Sequence, residues 1–192
     1  SSSATNVVIA AKAITLKADD KSATYTGSAV SVTNSYTLTG TLVGSDAISG
    51  VTYTYSTANP TAAGTYTITP SVAVFSTGSA ANYTITYSTG TLTIGKTNQG
   101  ALSLTSTTGT YGSNVTLTTS GGTTNGTVTY VLNSGPCTLA SGVLTPTGVG
   151  NCSITATMAG DSNYNSVSSS ATNVVIAAKA ITLKADDKSA TY

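Results

Sequence analysis

The 192-residue sequence contains no arginine, glutamate, histidine or tryptophan. Without histidine and glutamate, the usual nucleophile–base arrangements cannot be built, and the imidazole ligands that zinc prefers are missing. Without arginine, and with only seven lysines, the chain lacks the clustered cations that neutralise nucleic-acid phosphates. We therefore expect no enzyme, no catalytic residue, no cofactor, no metal and no nucleic-acid partner.

Long apolar runs are also missing. No stretch approaches the roughly 18 apolar residues that a membrane-spanning helix needs, so we expect no membrane span in this segment. No signal-peptide pattern occurs, as expected for an internal slice of a longer chain.

The two ends of the sequence are identical. Residues 1–25 and 168–192 both read SSSATNVVIAAKAITLKADDKSATY, so that one full period comprises residues 1–167. Such repetition indicates a window on a longer tandem array, whose partners are neighbouring copies of the same repeat. Within one period the four lysines balance the four aspartates, so the array has no net charge and can associate side by side in a fibre.

Threonine and serine dominate the composition. The threonines alternate with apolar residues in segments such as Tyr36–Thr39 and Tyr83–Tyr87, which is the two-residue period of strands with one buried face. Gly, Asn, Ser and Pro clusters separate these segments at short intervals. The pattern predicts an all-β chain of two tandem antiparallel β modules, each with one buried and one exposed sheet face.

The module boundaries follow from composition and from the repeat. We expect a first β module at residues 12–96 and a second at 97–178. Residues 1–11 are then the final strand of a preceding second module, and residues 179–192 are the start of the next first module. Because the joins are short, we expect a semi-rigid rod of about 70–90 Å per period if modules stack end to end.

Two cysteines, Cys137 and Cys152, occur in the second module. Strand alternation places Cys137 on the face of Leu139, and Cys152 on the face of Ile154, Ala156 and Met158, so both are expected to point inward. We expect a buried Cys137–Cys152 disulfide in an oxidising environment outside the cell, and the alternative is two buried thiols in a reducing cytosol.

The first module resembles the MBG-type repeat domain of bacterial surface adhesins. The resemblance rests on three segments: Asp20–Tyr25, Ala63–Thr69 and Asn82–Ile94. Relatives often place Gly directly after the tyrosine of the first segment, whereas here Thr26 comes before Gly27.

The second module resembles bacterial Ig-like repeat domains. The similar segments are Pro136–Gly142, Gly148–Ala156 and Ala159–Tyr164. The resemblance implies a sandwich of two antiparallel sheets, and members of that family often carry this cysteine pair. Both families occur in long secreted or surface-attached repeat proteins, and neither implies catalysis.

Three further features have two interpretations each. The aspartates could bind calcium, but capping of turns is favoured, especially for Asp161 before Tyr164. Lys17 could form an isopeptide crosslink, but a solvated strand lysine is favoured. A row of tyrosines could bind sugars, but core packing is favoured; the row comprises Tyr36, Tyr53, Tyr55, Tyr66, Tyr83 and Tyr87.

The sequence therefore predicts a structural repeat of an extracellular stalk or filament at the cell surface. An adhesin repeat that itself binds a glycan or a surface partner is the alternative.

Overall fold

A computed structural model of the protein describes residues 6–186 and residue 188. Among these residues the chain forms seventeen β-strands and one turn of 3-10 helix, which confirms the all-β class. The chain divides into two compact units, residues 1–97 and residues 98–192. The division falls within the short join Gly95–Gly100.

The first unit contains seven strands, most of which alternate threonine with apolar residues. Because threonine is β-branched and polar, it suits the solvent face of a strand. A 3-10 turn, Ala80–Asn82, precedes the sixth strand, and the side chain of Ser79 caps it by accepting a hydrogen bond from the Ala81 N–H. The strands are β1 (Lys12–Ala18), β2 (Lys21–Thr24), β3 (Tyr36–Thr39), β4 (Ala47–Tyr55), β5 (Gly64–Thr77), β6 (Tyr83–Ser88) and β7 (Gly90–Gly95).

These strands form two sheets. The first has the order β3-β1-β6 and the second the order β2-β7-β5-β4. The chain passes from the first sheet to the second three times, from β1 to β2, from β3 to β4 and from β6 to β7. The buried hydrophobic core residues of this unit lie on β1, β5, β6 and β7: Ile14, Leu16, Ala18, Ile68, Tyr83, Leu92 and Ile94.

The expectation of purely antiparallel modules is wrong in one respect. β1 pairs with β6 in parallel, β2 pairs with β7 in parallel, and a parallel pair also occurs in the second unit. Alternation reports which face of a strand is buried, but it carries no information about the direction of the neighbouring strand. Each parallel pair joins strands that are far apart in the sequence, which no local pattern reveals.

The second unit contains ten shorter strands, separated by turns rich in Gly, Ser and Asn. They are β8 (Leu102–Leu104), β9 (Thr108–Thr110), β10 (Val115–Thr116), β11 (Thr119–Gly121), β12 (Val128–Ser134), β13 (Cys137–Ala140), β14 (Val143–Pro146), β15 (Gly150–Met158), β16 (Val167–Ser168) and β17 (Thr172–Ala177).

The central strand of the second unit is β15, which pairs with β12, β17 and β16, and β9 extends this sheet beyond β17. Smaller sheets, β10-β14-β13 and β11-β8, supply the opposing layer. One core cluster joins residues of both layers, for example Leu102 and Leu144 with Ile154 and Val174. This is the layered, sandwich-type arrangement that the resemblance to Ig-like repeat domains implied.

The N-terminal and C-terminal copies of the repeated sequence differ in structure. In the second unit, β17 lies between β15 and β9, with Val174 0% and Ile176 2% exposed. The identical residues Val7 and Ile9 form no strand and are 86% and 90% exposed. Residues 6–11 were expected to be a strand of a preceding module, and here they pair with no strand, because a strand forms only where partners satisfy its backbone.

For the sequence of β1, the N-terminal copy is the one that is paired and buried, and the C-terminal copy is exposed. Leu16 on β1 is 0% exposed between β3 and β6, whereas the identical Leu183 is 89% exposed and outside any strand. Residues 1–5, 187 and 189–192, which belong to the predicted end segments 1–11 and 179–192, lie outside the described residues.

Candidate functional site

The structure joins Cys137 and Cys152 in a disulfide with a Cα–Cα distance of 6.1 Å. Cys137 lies on β13 and Cys152 on β15, so the bond connects the two layers of the second unit. Both cysteines are buried within the core cluster. The described residues include no free cysteine, and the bond acts as a crosslink between sheets.

Gly135 allows the chain to reach this bond. It has a φ of +113°, and a methyl group at its Cα would overlap the carbonyl oxygen of Asn151, the neighbour of Cys152. The turn therefore packs its backbone directly against β15, and only glycine fits there. Its next residue, Pro136, accepts hydrogen bonds from the N–H groups of Thr147 and Gly148, which holds β13 in place.

The passage from β1 to β2 is held by two adjacent aspartates. Asp19 accepts hydrogen bonds from Ser35 (2.5 Å) and Thr37 (2.7 Å), which lie just before and on β3. Asp20 accepts one from the Thr91 N–H (2.8 Å) on β7. One carboxylate therefore binds the first sheet and its neighbour binds the second, at the point where the chain changes sheet.

The Asp19 carboxylate is stabilised in its charged form. The hydrogen bonds from Ser35 and Thr37 lower its pKa below the ordinary value of 3.8, with smaller contributions from the positive charges of Lys21 and Lys17. Lys21 also donates to Ser35 Oγ at 2.7 Å, which completes a short polar chain. Lys17 lies exposed on β1, as expected of a solvated strand lysine.

Gly90 occupies the corresponding passage from β6 to β7. A side chain here would overlap the carbonyl oxygen of Ala18 and crowd that of Asp19. The two passages therefore lie in direct backbone contact, which a residue with a Cβ prevents.

A cleft of about 520 Å³ lies at the end of the first unit where β1 begins. At its floor Tyr83 donates a hydrogen bond to Asp46 (2.7 Å) and accepts one from the Val43 N–H (2.8 Å). Desolvation and the Asp46 carboxylate raise the pKa of Tyr83. The lining residues are Ile9, Ala10, Ala11, Lys12, Val43, Asp46, Ala81, Asn82 and Tyr83.

This cleft offers little for catalysis. The Asp46 carboxylate is engaged by Tyr83, and a side chain at Gly78 would overlap it, so the carboxylate is closely packed. The Tyr83 ring stacks on Phe75 with centroids 5.4 Å apart, which uses one of its faces. The groups present can donate and accept hydrogen bonds, but they do not form a nucleophile–base pair.

The tyrosine row mostly packs inward. Tyr53, Tyr55 and Tyr66 lie against the core of the first unit, and Tyr83 is buried. Several hydroxyl groups of the row reach partners at the edge of the core; for example, Tyr55 donates a hydrogen bond to Asn34 at 3.1 Å, and Tyr87 accepts one from the Ala73 N–H at 2.8 Å. This agrees with core packing, the interpretation favoured by alternation with threonine.

Asp161 accepts hydrogen bonds from the N–H groups of Asn163 (2.7 Å) and Tyr164 (2.8 Å), which confirms that it caps the turn before Tyr164. The residues that the structure describes contain no group of three or more His, Cys, Asp or Glu side chains placed to hold a metal ion. Asp19, Asp20, Asp46 and Asp161 each make contacts of a structural kind.

Sequence reasoning missed Gln99. This buried side chain accepts hydrogen bonds from Thr123 N–H and from the N–H and hydroxyl groups of Thr124, and it donates to the carbonyl oxygens of Ala159 and Asn165. From its position within the join, Gln99 ties the start of the second unit to two distant loops. A single glutamine in a join carries no local pattern, so only its buried position in the fold reveals the role.

Residues 14–93 match the family model described as the MBG domain (YGX type). This match covers most of the first unit and supports the resemblance that its sequence segments indicated. The first unit is therefore similar to a domain class found as a structural repeat.

Two solved structures are similar to the chain at low level. They are a structure described as tandem Ig repeats of Dlar (17% identity, TM-score 0.28, covering 88% of this chain and all of that one) and murine CEACAM1b (14% identity, TM-score 0.31, covering 85% of this chain and all of that one). TM-scores at this level do not establish a shared fold. No curated protein matches the sequence. In the described part of the chain, no helix has the length and hydropathy of a membrane span.

Proposed function

We propose that the chain is a structural repeat of an extracellular stalk or filament, which supplies length and stiffness outside the cell. The observation that carries this proposal is the identical sequence at the two ends in opposite states. Val7 and Ile9 are exposed where Val174 and Ile176 are buried, and Leu183 is exposed where Leu16 is buried. Each exposed copy is therefore a strand sequence that folds when its partners are present.

In an array with this period, both exposed segments gain partners. Residues 1–11 complete the second module of the preceding copy in the way that β17 completes this one. Residues 179–192 begin the next first module in the way that β1 begins this one. The modules of the array are then residues 12–96 and 97–178, and the join Ala178–Lys179 leaves no flexible linker between copies.

An extracellular location is supported by the disulfide, since such bonds persist in oxidising compartments and are rare in the cytosol. The neutral charge of one period supports lateral contacts between rods, because uncharged surfaces do not repel one another. Neighbouring copies along the chain and copies in adjacent rods are the proposed partners.

Proteins with one, two and four periods test this proposal. The maximum dimension from small-angle X-ray scattering should grow in proportion to the number of periods if the array is stiff. A flexible chain of modules would instead grow roughly as the square root of that number. Square-root growth would contradict the proposed stiffness.

The adhesin alternative predicts selective binding to a glycan or surface partner by every period. Strong, selective signals on a glycan array probed with one full period would favour it. The inward packing of Tyr53, Tyr55 and Tyr66 leaves fewer aromatic faces for sugars, so we expect no such signal.

A further inference from the structure

The first two strands of the first unit run side by side with its last two strands, in the same direction. β1 pairs with β6 over six register positions, from Lys12 opposite Tyr83 to Lys17 opposite Ser88. After the change of sheet, β2 pairs with β7 over four more, from Lys21 opposite Leu92 to Thr24 opposite Gly95. A further hydrogen bond from Tyr25 N–H to Gly95 O (2.8 Å) extends the contact.

The parallel direction of these pairs determines how the first unit responds to tension. The chain enters at Lys12, at one end of the paired strands, and leaves at Gly95, at the opposite end. A pull on the two ends therefore slides the strands past each other along their length, and the hydrogen bonds of the pair bear the load together. An antiparallel pair of terminal strands would be pulled apart from one end, one bond at a time.

The second unit repeats the arrangement on a smaller scale. β9, near its start, pairs in parallel with β17, at its end, over three positions from Thr108 to Thr110. Hydrogen bonds from Val175 N–H to Thr107 O and from Tyr111 N–H to Ala177 O, both 2.9 Å, continue the pair at its two ends.

We propose that the chain bears tension, and that in each unit the parallel pairing between strands near its two ends is the element that resists unfolding under load. These pairs are β1–β6 and β2–β7 in the first unit and β9–β17 in the second. This inference rests on the proposed function for its biological role, since a stalk that holds something away from a cell is pulled at its ends. The geometry of the pairs, however, is present in each unit by itself.

The surroundings of the pair in the first unit fit this role. One strand of each pair carries buried side chains, Leu16 and Ala18 on β1 and Leu92 and Ile94 on β7. These side chains limit the access of water to the hydrogen bonds that β1 makes with β6 and that β7 makes with β2. The hydrogen bonds of Asp19 and Asp20 brace the point where the pair changes sheet. The long pair therefore acts as one element across both sheets.

Changing the point of attachment tests the proposal without altering stability. In one molecule, handles for optical tweezers are attached at the two chain termini. In the other, the second handle is attached through a bio-orthogonal side chain at the exposed Ala81, which precedes Tyr83, the register partner of Lys12. Tension between the N-terminus and residue 81 peels β1 from β6 instead of shearing the pair.

We expect the first unit to unfold at fixed force at least about tenfold faster when it is pulled from residue 81, because forced unfolding is governed by the unfolding barrier. Equal rates from the two attachment points would overturn the proposal. Both molecules keep the disulfide, and unfolding in urea without force checks that their stability is the same.

A pair of proline variants gives an independent test. Every second N–H group of a strand faces the same neighbouring strand. Because the Tyr25 N–H donates to the Gly95 carbonyl oxygen, the N–H of Ala23, two residues earlier, also faces β7. Because Ser56 donates to Thr67, the N–H of Thr54 faces β5 at the opposite edge of the same sheet. Ala23→Pro and Thr54→Pro therefore each remove one ladder donor from an edge strand, but only the first lies in the terminal pair.

Both variants should lower the free energy of unfolding in urea. Under tension applied at the termini, only Ala23→Pro should raise the unfolding rate of the first unit. An equal rise in both variants would contradict a load-bearing terminal pair. The proposed stalk function is tested separately by scattering on multi-period proteins, so the failure of one proposal is distinguishable from the failure of the other.

Discussion

Single residues determine where the chain can change sheet or approach a neighbouring strand. Gly90 and Gly135 lie where a Cβ would overlap another backbone, and Asp19 and Asp20 satisfy donors on both sheets at one passage. At this scale the fold depends on a few contacts, which substitution can test one at a time.

Replacing Gly90 by alanine should destabilise the first unit by about 1–3 kcal/mol, because the methyl group meets the rigid backbone of Ala18. The matched control is Gly50→Ala, since a Cβ at Gly50 meets nothing within 4 Å. The control should change stability by no more than about 1 kcal/mol. Urea denaturation measures both, and equal effects would show that the passage is not tightly packed.

The pH dependence of stability should report Asp19. Its pKa is lowered in the folded state, so its stabilising contribution is fully present above its ordinary value of 3.8 and is lost as the pH falls through the lower folded value. From about pH 5 to about pH 2, Asp19→Asn should show a smaller loss of stability than the natural chain. Parallel curves for the two proteins would argue against this role.

The disulfide should contribute about 3 kcal/mol to the second unit, as expected for a closed loop of this length. A reductant should lower the free energy of unfolding of that unit by this amount and leave the first unit unchanged. The Cys137→Ala/Cys152→Ala protein should be insensitive to the reductant. A loss of stability in the first unit on addition of the reductant would mean that the stabilising effect of the disulfide is not confined to the second unit.

Strands in this molecule form only with their neighbours. The same seven residues are a buried strand as β1 and are unpaired at 179–185. Local propensity is identical in the two places, so the difference comes from the strands alongside, β3 and β6. At the scale of elements, a segment with β propensity forms a strand only where neighbouring strands pair with it.

The duplicated sequence supplies its own control for this statement. Leu16→Ala should destabilise the first unit by about 2–5 kcal/mol because it opens a cavity in the core. Leu183→Ala, the identical substitution in the exposed copy, should stay within about 0.5 kcal/mol. Thermal or urea unfolding separates the two, and a comparable loss from Leu183→Ala would mean that residues 179–185 are also packed.

Much of this element structure could be predicted from the sequence. Alternation identified strands such as Tyr36–Thr39 and the buried face of β15, where Cys152, Ile154, Ala156 and Met158 all point inward. The parallel pairing of β1 with β6 could not be predicted, because the two strands are separated by four others and their direction leaves no local trace. Gln99 and Gly135 were missed because their importance arises from backbone that approaches from distant parts of the chain.

The whole molecule combines two units of this kind in a period that is neutral and carries one crosslink. The described residues present hydrogen-bonded turns and packed tyrosines instead of a reactive constellation, so the proposed role is mechanical. In the proposed array, repetition of the sequence would multiply the same folded units along one chain. A repeat of this type contributes length in proportion to its copy number.

Cryo-electron imaging of native material tests the proposed stalk or filament most directly. The account predicts fibres with an axial repeat of about 70–90 Å, if the modules of one period stack end to end. Isolated globular particles of two units, with no continuous fibre, would contradict it.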